Sequence, residues 1–594
     1  MNEPKWNNLT QMFFAQAKTF GSAPMLFEKR DGAWQSLSWA DVAEQVARLA
    51  GGLKSLGVTK GDRVVIVSEN RPEWLISDMA IMALGAISVP SYTTYTTRDY
   101  VHILDNSGAK AAIVSTRQLA STFLKAAHQA DDLQHVITIE DPKLEQRLNV
   151  EVHSWENATA PTETSVETLS HDAESVLRSD IACLIYTSGT GGAPKGVKIH
   201  HGAILHNVEG AREVLRPLGL NNNAFLSFLP LSHAYEHTAG QFLPIFTGAS
   251  IWYAEGLEKL ATNMAEAKPT VMVVVPRLFE LLRTRLVRQV QQEGGLKAKL
   301  FDTCIALGTK RAIDPSSLTV GEKIKNALLD ISVRKQVRKK FGGRVKALVS
   351  GGAPLSPDVG YFFASLGLPL LQGYGQTESG PVVAVNPPAA PKMHTVGKLL
   401  ENTEVKIAED GEILVRGELV MQGYWQDDTT TAKTIIDGWL HTGDIGRLDE
   451  DNYLEITDRK KDIIVNDKGD NVSPQRIEGL LALEDEIAQA MVYGDRRPHL
   501  VGLIVPDVEW LAEWSKANNK PRTLAELKDD PDLRKALNAA VTRVNSRLSN
   551  LEKVRKIAIA DEAFSVENEQ MTPTLKVRRH IVNKVYADAL EELY

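Results

Sequence analysis

Tyr186-Thr187-Ser188-Gly189-Thr190-Gly191-Gly192-Ala193-Pro194-Lys195-Gly196-Val197 follows the apolar run Ile181-Ala182-Cys183-Leu184-Ile185. The run reads as a buried strand, and the stretch after it holds four glycines and three aliphatic hydroxyls. A loop of that composition can turn several backbone N–H groups towards one anion. Lys195 adds a positive charge, and Pro194 stiffens the approach to it. The combination reads as a polyphosphate clamp. It is not a Walker loop, which places its lysine directly after the last glycine and a hydroxyl after the lysine. Here Ala193 and Pro194 intervene, and Gly196 follows Lys195. An ordinary Gly/Ser/Thr surface turn is the competing reading, and the surrounding chain decides between them.

Upstream, Val42, Val46, Leu49, Ala50 and Leu53 give a helical period that ends at Gly57. The β-branched run Asp62 to Val67 reads as a strand and Arg71 to Leu84 as a helix, with further strands at Ala111 to Val114 and His135 to Ile139. This alternation argues for a parallel α/β layer. Residues 150 to 178, rich in Thr, Glu and Ser, read as a polar connector. Downstream, Ala224 to Pro230 and Thr270 to Pro276 read as buried strands ending at prolines, so the residues just beyond them are candidate site positions. A helical, basic segment spans about 285 to 345 and contains Arg334-Lys335-Gln336-Val337-Arg338-Lys339-Lys340. That run is either a solvated helix face or a contact for anionic lipid or carrier phosphates. From about 396 short, Gly-separated β segments form a small β subdomain. Beyond the charge run Asp458 to Asp462 the pattern is that of a compact α+β domain able to move independently.

At 594 residues the chain exceeds one ordinary core. The 43% hydrophobic and 24% charged composition is globular, and a net charge of -8 gives no reason to expect nucleic acid. Cys183 and Cys304 offer neither a disulfide framework nor zinc spacing. The first residues lack the apolar core of a signal peptide, and the apolar run Met79 to Pro90 is too short to cross a bilayer. The expectation is a cytoplasmic protein, with peripheral membrane contact through 334–340 left open.

Four Gly-rich or acidic clusters stand together: 186–197, 350–355, 373–380 and 441–444. With Arg459, and with Lys576 in Met571-Thr572-Pro573-Thr574-Leu575-Lys576, the set resembles the adenylate-forming superfamily of acyl-CoA synthetases, peptide-synthetase adenylation domains and firefly-type luciferases. The resemblance runs from about Trp39 to Lys576. It implies a fold of two layered βα subdomains plus a small β subdomain (1–458), a hinge (459–461) and a small mobile α+β domain (462–594). It also implies adenylation of a carboxylate by ATP, release of pyrophosphate, and transfer of the acyl group to the thiol of CoA.

By that resemblance Ser188, Gly189, Thr190, Gly192 and Lys195 hold the β- and γ-phosphates, and Thr187 and Glu378 position Mg²⁺. Gly351, Gly352 and Ala353 form the edge against adenine, Tyr374 of the Gly373-Tyr374-Gly375 run stacks on the ring, and Thr377 reaches the α-phosphate. Asp444, taken as an acid at a loop tip, accepts the ribose hydroxyls, and Arg459 also meets the ribose. Lys576 bridges carboxylate and α-phosphate oxygens. Lys461 is the hinge residue, and the turn around Gly469 lines the pantetheine tunnel in a rotated state.

His233, in Pro230-Leu231-Ser232-His233-Ala234-Tyr235-Glu236, resembles the residue beside the acyl carboxylate. That form, with the long helical segment, resembles the long-chain fatty acyl-CoA synthetases. Gly191 departs from the family, which usually has a second threonine there. The alternatives are an acyl-AMP ligase serving a separate carrier protein, a ligase for an aryl or medium-chain acid, a luciferase-like oxygenase, and a scaffold with a degraded site. The last fits poorly with the presence of Lys195, Glu378, Asp444, Arg459 and Lys576.

Overall fold

The computed structural model describes residues 6–143, 148–187, 193–219, 222–468, 470–572 and 576–594. Two large sheets carry the first half and more of the chain. A seven-stranded sheet runs in the order Glu151–Ser154, His135–Thr138, Ala111–Val114, Arg63–Val67, Ile87–Ser91, Ile181–Thr187 and Lys195–His200. Its neighbours are parallel except for the last pair. Central strands such as Val64 to Val67 are buried on both faces, which is why they read as unbroken apolar runs.

A nine-stranded sheet has Ala224–Ser227, Val271–Val274, Ala347–Ser350 and Leu370–Tyr374 at its parallel centre and the hairpin Pro24–Arg30 and Ala33–Ser38 at one edge. The connector 150–178 is more structured than its composition suggests. It supplies the edge strand Glu151–Ser154 and the short helices Trp155–Ala158 and Val166–Asp172.

The small β subdomain is an antiparallel sheet of Glu404–Ile407, Glu412–Arg416, Ile435–Ile436, Trp439–Leu448 and Leu454–Arg459. The C-terminal region has its own sheet, Ile487–Tyr493, Leu500–Pro506 and Val554–Ile559, with an apolar cluster on each face. It docks through polar contacts on the helix Pro276–Glu293. Arg283 donates to the Leu483 carbonyl, and Arg288 reaches the Asp485 carbonyl, Asp507 at 2.8 Å and Glu509 at 2.9 Å. Arg547 pairs with Asp358 beside them.

The run Arg334 to Lys340 is not a continuous positive patch, which corrects the reading of its composition. Arg334 is fully buried, its guanidinium donating to the carbonyls of Ser365 and Asn326 and to the Asn326 side chain. Arg338 is paired with Asp330 at 3.0 Å, and Val337 is buried. Helical periodicity turns this side of the run inward and leaves Lys335, Lys339 and Lys340 outside. Among the described residues no helix is long and apolar enough to cross a membrane.

Candidate active site

A cavity of ≈ 1950 Å³ is lined by the carboxyl ends of strands from both large sheets, by the small β subdomain and by the C-terminal region. In parallel α/β sheets side chains just past those strand ends are free to face a ligand. Thr187, Gly351, Tyr374 and Glu378 reach the cavity in this way, and the small sheet adds Asp444 and Arg459.

Asp444 is not at a loop tip. It lies within the strand Trp439–Leu448, where alternation turns it inward, and it is buried. Its register partner on the next strand is Arg459, whose Nε stands 3.2 Å from Oδ1. The other oxygen accepts hydrogen bonds from the Tyr374 hydroxyl at 2.7 Å and Gln376 Nε2 at 2.6 Å. Burial first, and then the Asp444 charge, raise the Tyr374 phenol well above its ordinary pKa, so it donates as a neutral hydroxyl.

Thr377 and Glu378 occupy a single short turn, Thr377–Ser379, capped by Gln376. The Glu378 carboxylate accepts one hydrogen bond from the Tyr424 hydroxyl at 3.0 Å. Thr187 closes the strand Ile181–Thr187 and faces the same cavity. A hydroxyl and a carboxylate on one wall form a donor set suited to a hard dication such as Mg²⁺.

Lys195 is the register partner of Thr187. Its ammonium is engaged rather than free, donating to Asp427 at 2.9 Å and to the Thr430 hydroxyl at 2.6 Å, 5.6 Å from the centre of the Tyr424 ring. The hydrogen bond from Lys195 holds the Asp427 carboxyl well below the usual range. Ser188, Gly189, Thr190, Gly191 and Gly192 lie outside the described residues, as does Gly469.

Two glycines are fixed by close approach. A Cβ on Gly375 would stand 1.8 Å from the Pro381 carbonyl oxygen, and one on Gly351 would stand 2.9 Å from the Tyr235 ring. The Gly351 constraint therefore comes from the protein's own tyrosine, whose hydroxyl donates to the Val349 carbonyl at 2.9 Å. Gly352 and Ala353 continue the cavity wall, and Gly373 sits one residue before Tyr374.

His233 Nδ1 accepts the Tyr235 N–H at 3.2 Å. Burial, with the charge of Lys576 second, pushes its pKa down to about 3, so the ring is neutral with the proton on Nε2. Lys576 itself comes from the C-terminal region. Crowding by protein and then Arg459 lower its pKa to about 8, while Asp444 and Glu378 oppose the shift. The side chain remains exposed to the water of the cavity, which moderates the effect of burial. Lys461 lines the cavity too, just past the last strand of the small sheet.

Gln376, Tyr424, Asp427 and Thr430 belong to the site without a motif role in the sequence. Gln376 lies within the Gly-rich cluster 373–380, the one signal that could have found it, whereas Asp427 lies 232 residues from its partner Lys195 with no motif around it. Asp458, raised to about 6 by burial, also lines the cavity.

The profile of the AMP-binding enzyme family matches residues 13–425, and that of the AMP-binding enzyme C-terminal domain matches 461–594. A long-chain-fatty-acid–CoA ligase of Mycobacterium tuberculosis, FadD15, is 35% identical over 571 residues, covering 95% of this chain and 93% of its own length. The mouse long-chain-fatty-acid–CoA ligase 6 is 30% identical over 620 residues, covering 98% and 86%. Among solved structures, the adenylation domain of a Mycobacterium chelonae carboxylate reductase aligns with a TM-score of 0.77 at 20% identity, covering 100% of this chain and 92% of that one. The O-succinylbenzoate coenzyme A synthetase of Bacillus subtilis, in complex with ATP and magnesium ion, aligns at 0.67 and 19% identity, covering 96% and 98%. At such identities the structures speak for the fold, and the family profiles speak for descent. With its larger part and its C-terminal part matched in chain order, the protein belongs to the AMP-binding enzyme family.

Proposed function

We propose that the protein is an AMP-forming long-chain fatty acid–CoA ligase. The observation that carries this reading is the approach of Lys576 to Glu378, Asp444, Arg459 and the neutral His233 at one cavity. A fatty carboxylate oxygen attacks the α-phosphate of ATP, the bond to the β-phosphate breaks, and pyrophosphate leaves. Thr377 reaches the α-phosphate, Tyr374 covers the adenine, and Asp444 with Arg459 receives the ribose. Lys576 offsets the negative charge shared by carboxylate and α-phosphate. Thr187 and Glu378 would hold Mg²⁺, which when bound neutralises phosphate charge. A neutral His233 can face the acyl carboxylate as a donor without a second cation beside Lys576.

The substrate class is supported by the relatives named above and by the apolar side of the cavity, where Val214, Leu215, Phe225, Leu243, Val271 and Val273 can cover a hydrocarbon chain. We place the domain division at 1–458 and 462–594. The C-terminal domain turns about Lys461 so that Lys576 withdraws and Gly469 approaches the entering CoA. The thiol then attacks the acyl carbonyl, AMP leaves, and the thiol proton passes to solvent.

Peripheral contact with an anionic lipid surface belongs to the same reading, but on a different helix face from 334–340 alone. Val320, Ile324, Leu328 and Ile331 are 75%, 61%, 63% and 69% exposed. Their spacing puts them on one stripe of the helix Val320–Leu329 and its continuation. Lys323, Lys325, Lys335 and Lys339 are exposed around that stripe. An apolar stripe rimmed by lysines suits insertion at a headgroup boundary.

The test of function is AMP release from ATP with a panel of fatty acids of graded length, with CoA or with a carrier protein as acceptor. Release that requires CoA and rises towards long chains supports the reading. Release with the carrier alone favours an acyl-AMP ligase, and release confined to aryl acids removes the long-chain assignment.

A further inference from the structure

At the edge of the seven-stranded sheet opposite Lys195–His200, the strand Glu151–Ser154 runs parallel to His135–Thr138. His135 is the register partner of Glu151, and His153 lies two residues further along the edge strand. Alternation therefore brings all three side chains to one face of the sheet. His135 Nδ1 lies 3.3 Å from His153 Nε2 and 3.4 Å from the Glu151 carboxylate, and His153 Nε2 lies 3.7 Å from that carboxylate oxygen.

We propose that His135, Glu151 and His153 form a Zn²⁺ site that ties the outer strand to the sheet. Zinc holds imidazole nitrogens and carboxylate oxygens at about 2.0–2.2 Å in tetrahedral geometry, which separates its ligand atoms by about 3.3–3.6 Å. The three observed separations lie at or within ~0.1 Å of that range. Once the proton of the His135–His153 hydrogen bond is displaced by the metal, three lone-pair donors converge on one face of a tetrahedron, and the 73% exposed Glu151 carboxylate leaves the site accessible to water. His135 also meets the backbone of Leu56, an outer contact of the kind that orients a ligating ring. The two rings are mostly covered while the carboxylate is not. Two imidazoles and one carboxylate favour zinc over Mg²⁺ or Ca²⁺, which take oxygen ligands. The nearby Lys110 ammonium is held by the Gly57 carbonyl and by Asp62 at 3.3 Å, so it does not occupy the point of convergence.

The site shares no residue with the catalytic assignment, so its test is independent of it. The full chain, stripped with a chelator and dialysed, is titrated with Zn²⁺ against a chromophoric competitor, alongside His153→Ala and Glu151→Gln. The expected result is one equivalent bound by the unaltered chain, at least a tenfold loss of affinity in each variant, and unchanged adenylation. Co²⁺ should give tetrahedral d–d absorption in the unaltered chain alone, and thermal unfolding should rise with Zn²⁺ but not with Mg²⁺. Because both substitutions lie at a sheet edge, circular dichroism checks that each variant is folded. Absence of a stoichiometric zinc in the unaltered chain, or zinc retained at equal affinity by both variants, overturns the proposal.

Discussion

In the proposed reaction Lys576 supplies the charge that adenylation needs, and its surroundings set the pH at which that charge is lost. Crowding and the neighbouring Arg459 favour the neutral amine, so the ammonium gives up its proton below the ordinary 10.5. Adenylation should therefore fall as pH rises, with a limb between about 8 and 10.5, contact with cavity water placing it above the lower bound. At a pKa of about 8 the cationic fraction drops from roughly nine-tenths at pH 7 to a little under one-tenth at pH 9, about a tenfold fall in rate, whereas at 10.5 the fall would be a few per cent. His233, neutral above about 3, does not titrate in this interval. Burial keeps the Tyr374 and Tyr424 phenols above their ordinary pKa, and Asp458, at about 6, ionises below the interval. The assay is pyrophosphate release or ATP–pyrophosphate exchange with a long-chain acid and no CoA. Lys576→Arg should remove the basic limb, because guanidinium stays charged. Lys576→Ala should lose about 10²–10³ in this step while still converting supplied acyl-AMP and CoA to thioester. A basic limb that persists unmoved in Lys576→Arg would refute the assignment. Retained exchange in Lys576→Ala would refute it equally, and loss of both half-reactions would indicate misfolding.

Glu378→Ala should abolish adenylation, leaving the fold intact because the carboxylate makes a single side-chain hydrogen bond, to Tyr424, among the described residues. Substantial pyrophosphate release by that variant counts against its role. On the lipid surface, replacing Ile324 and Leu328 by Glu should weaken sedimentation with anionic phospholipid vesicles about tenfold or more. Soluble long-chain substrate in detergent should be turned over as before. Equal binding of the variant and the original chain would move the contact elsewhere.

The parallel centre of both large sheets was legible because strands buried on two faces cannot hide. Val64 to Val67 and Val271 to Val274 are apolar at every position. The edge strand Glu151–Ser154 was not, since an edge tolerates Glu, His and Ser, and the composition around it reads as connector. Arg334 shows the limit of counting charges without faces. A basic heptapeptide carried one fully buried guanidinium, satisfied by two carbonyls and an amide contributed from other elements. Asp444 was found in sequence for its chemistry and misplaced for its geometry. Its neighbours, Tyr374, Gln376 and Arg459, converge through a strand register and a turn that only the folded chain reveals.

The seam under the C-terminal region has a kinetic meaning. Its named polar contacts are arginines on acids and carbonyls, some exposed and some partly buried. Water and salt can take over such bonds one at a time as the surfaces part, while Leu483, packed against the apolar cluster of the larger domain, is uncovered with them. In the proposed rotation, a joint of this kind would present Lys576 for the first step and part through bonds that water can replace in turn. If the proposed rotation gates the two chemical steps, ionic strength would control the dwell time between them.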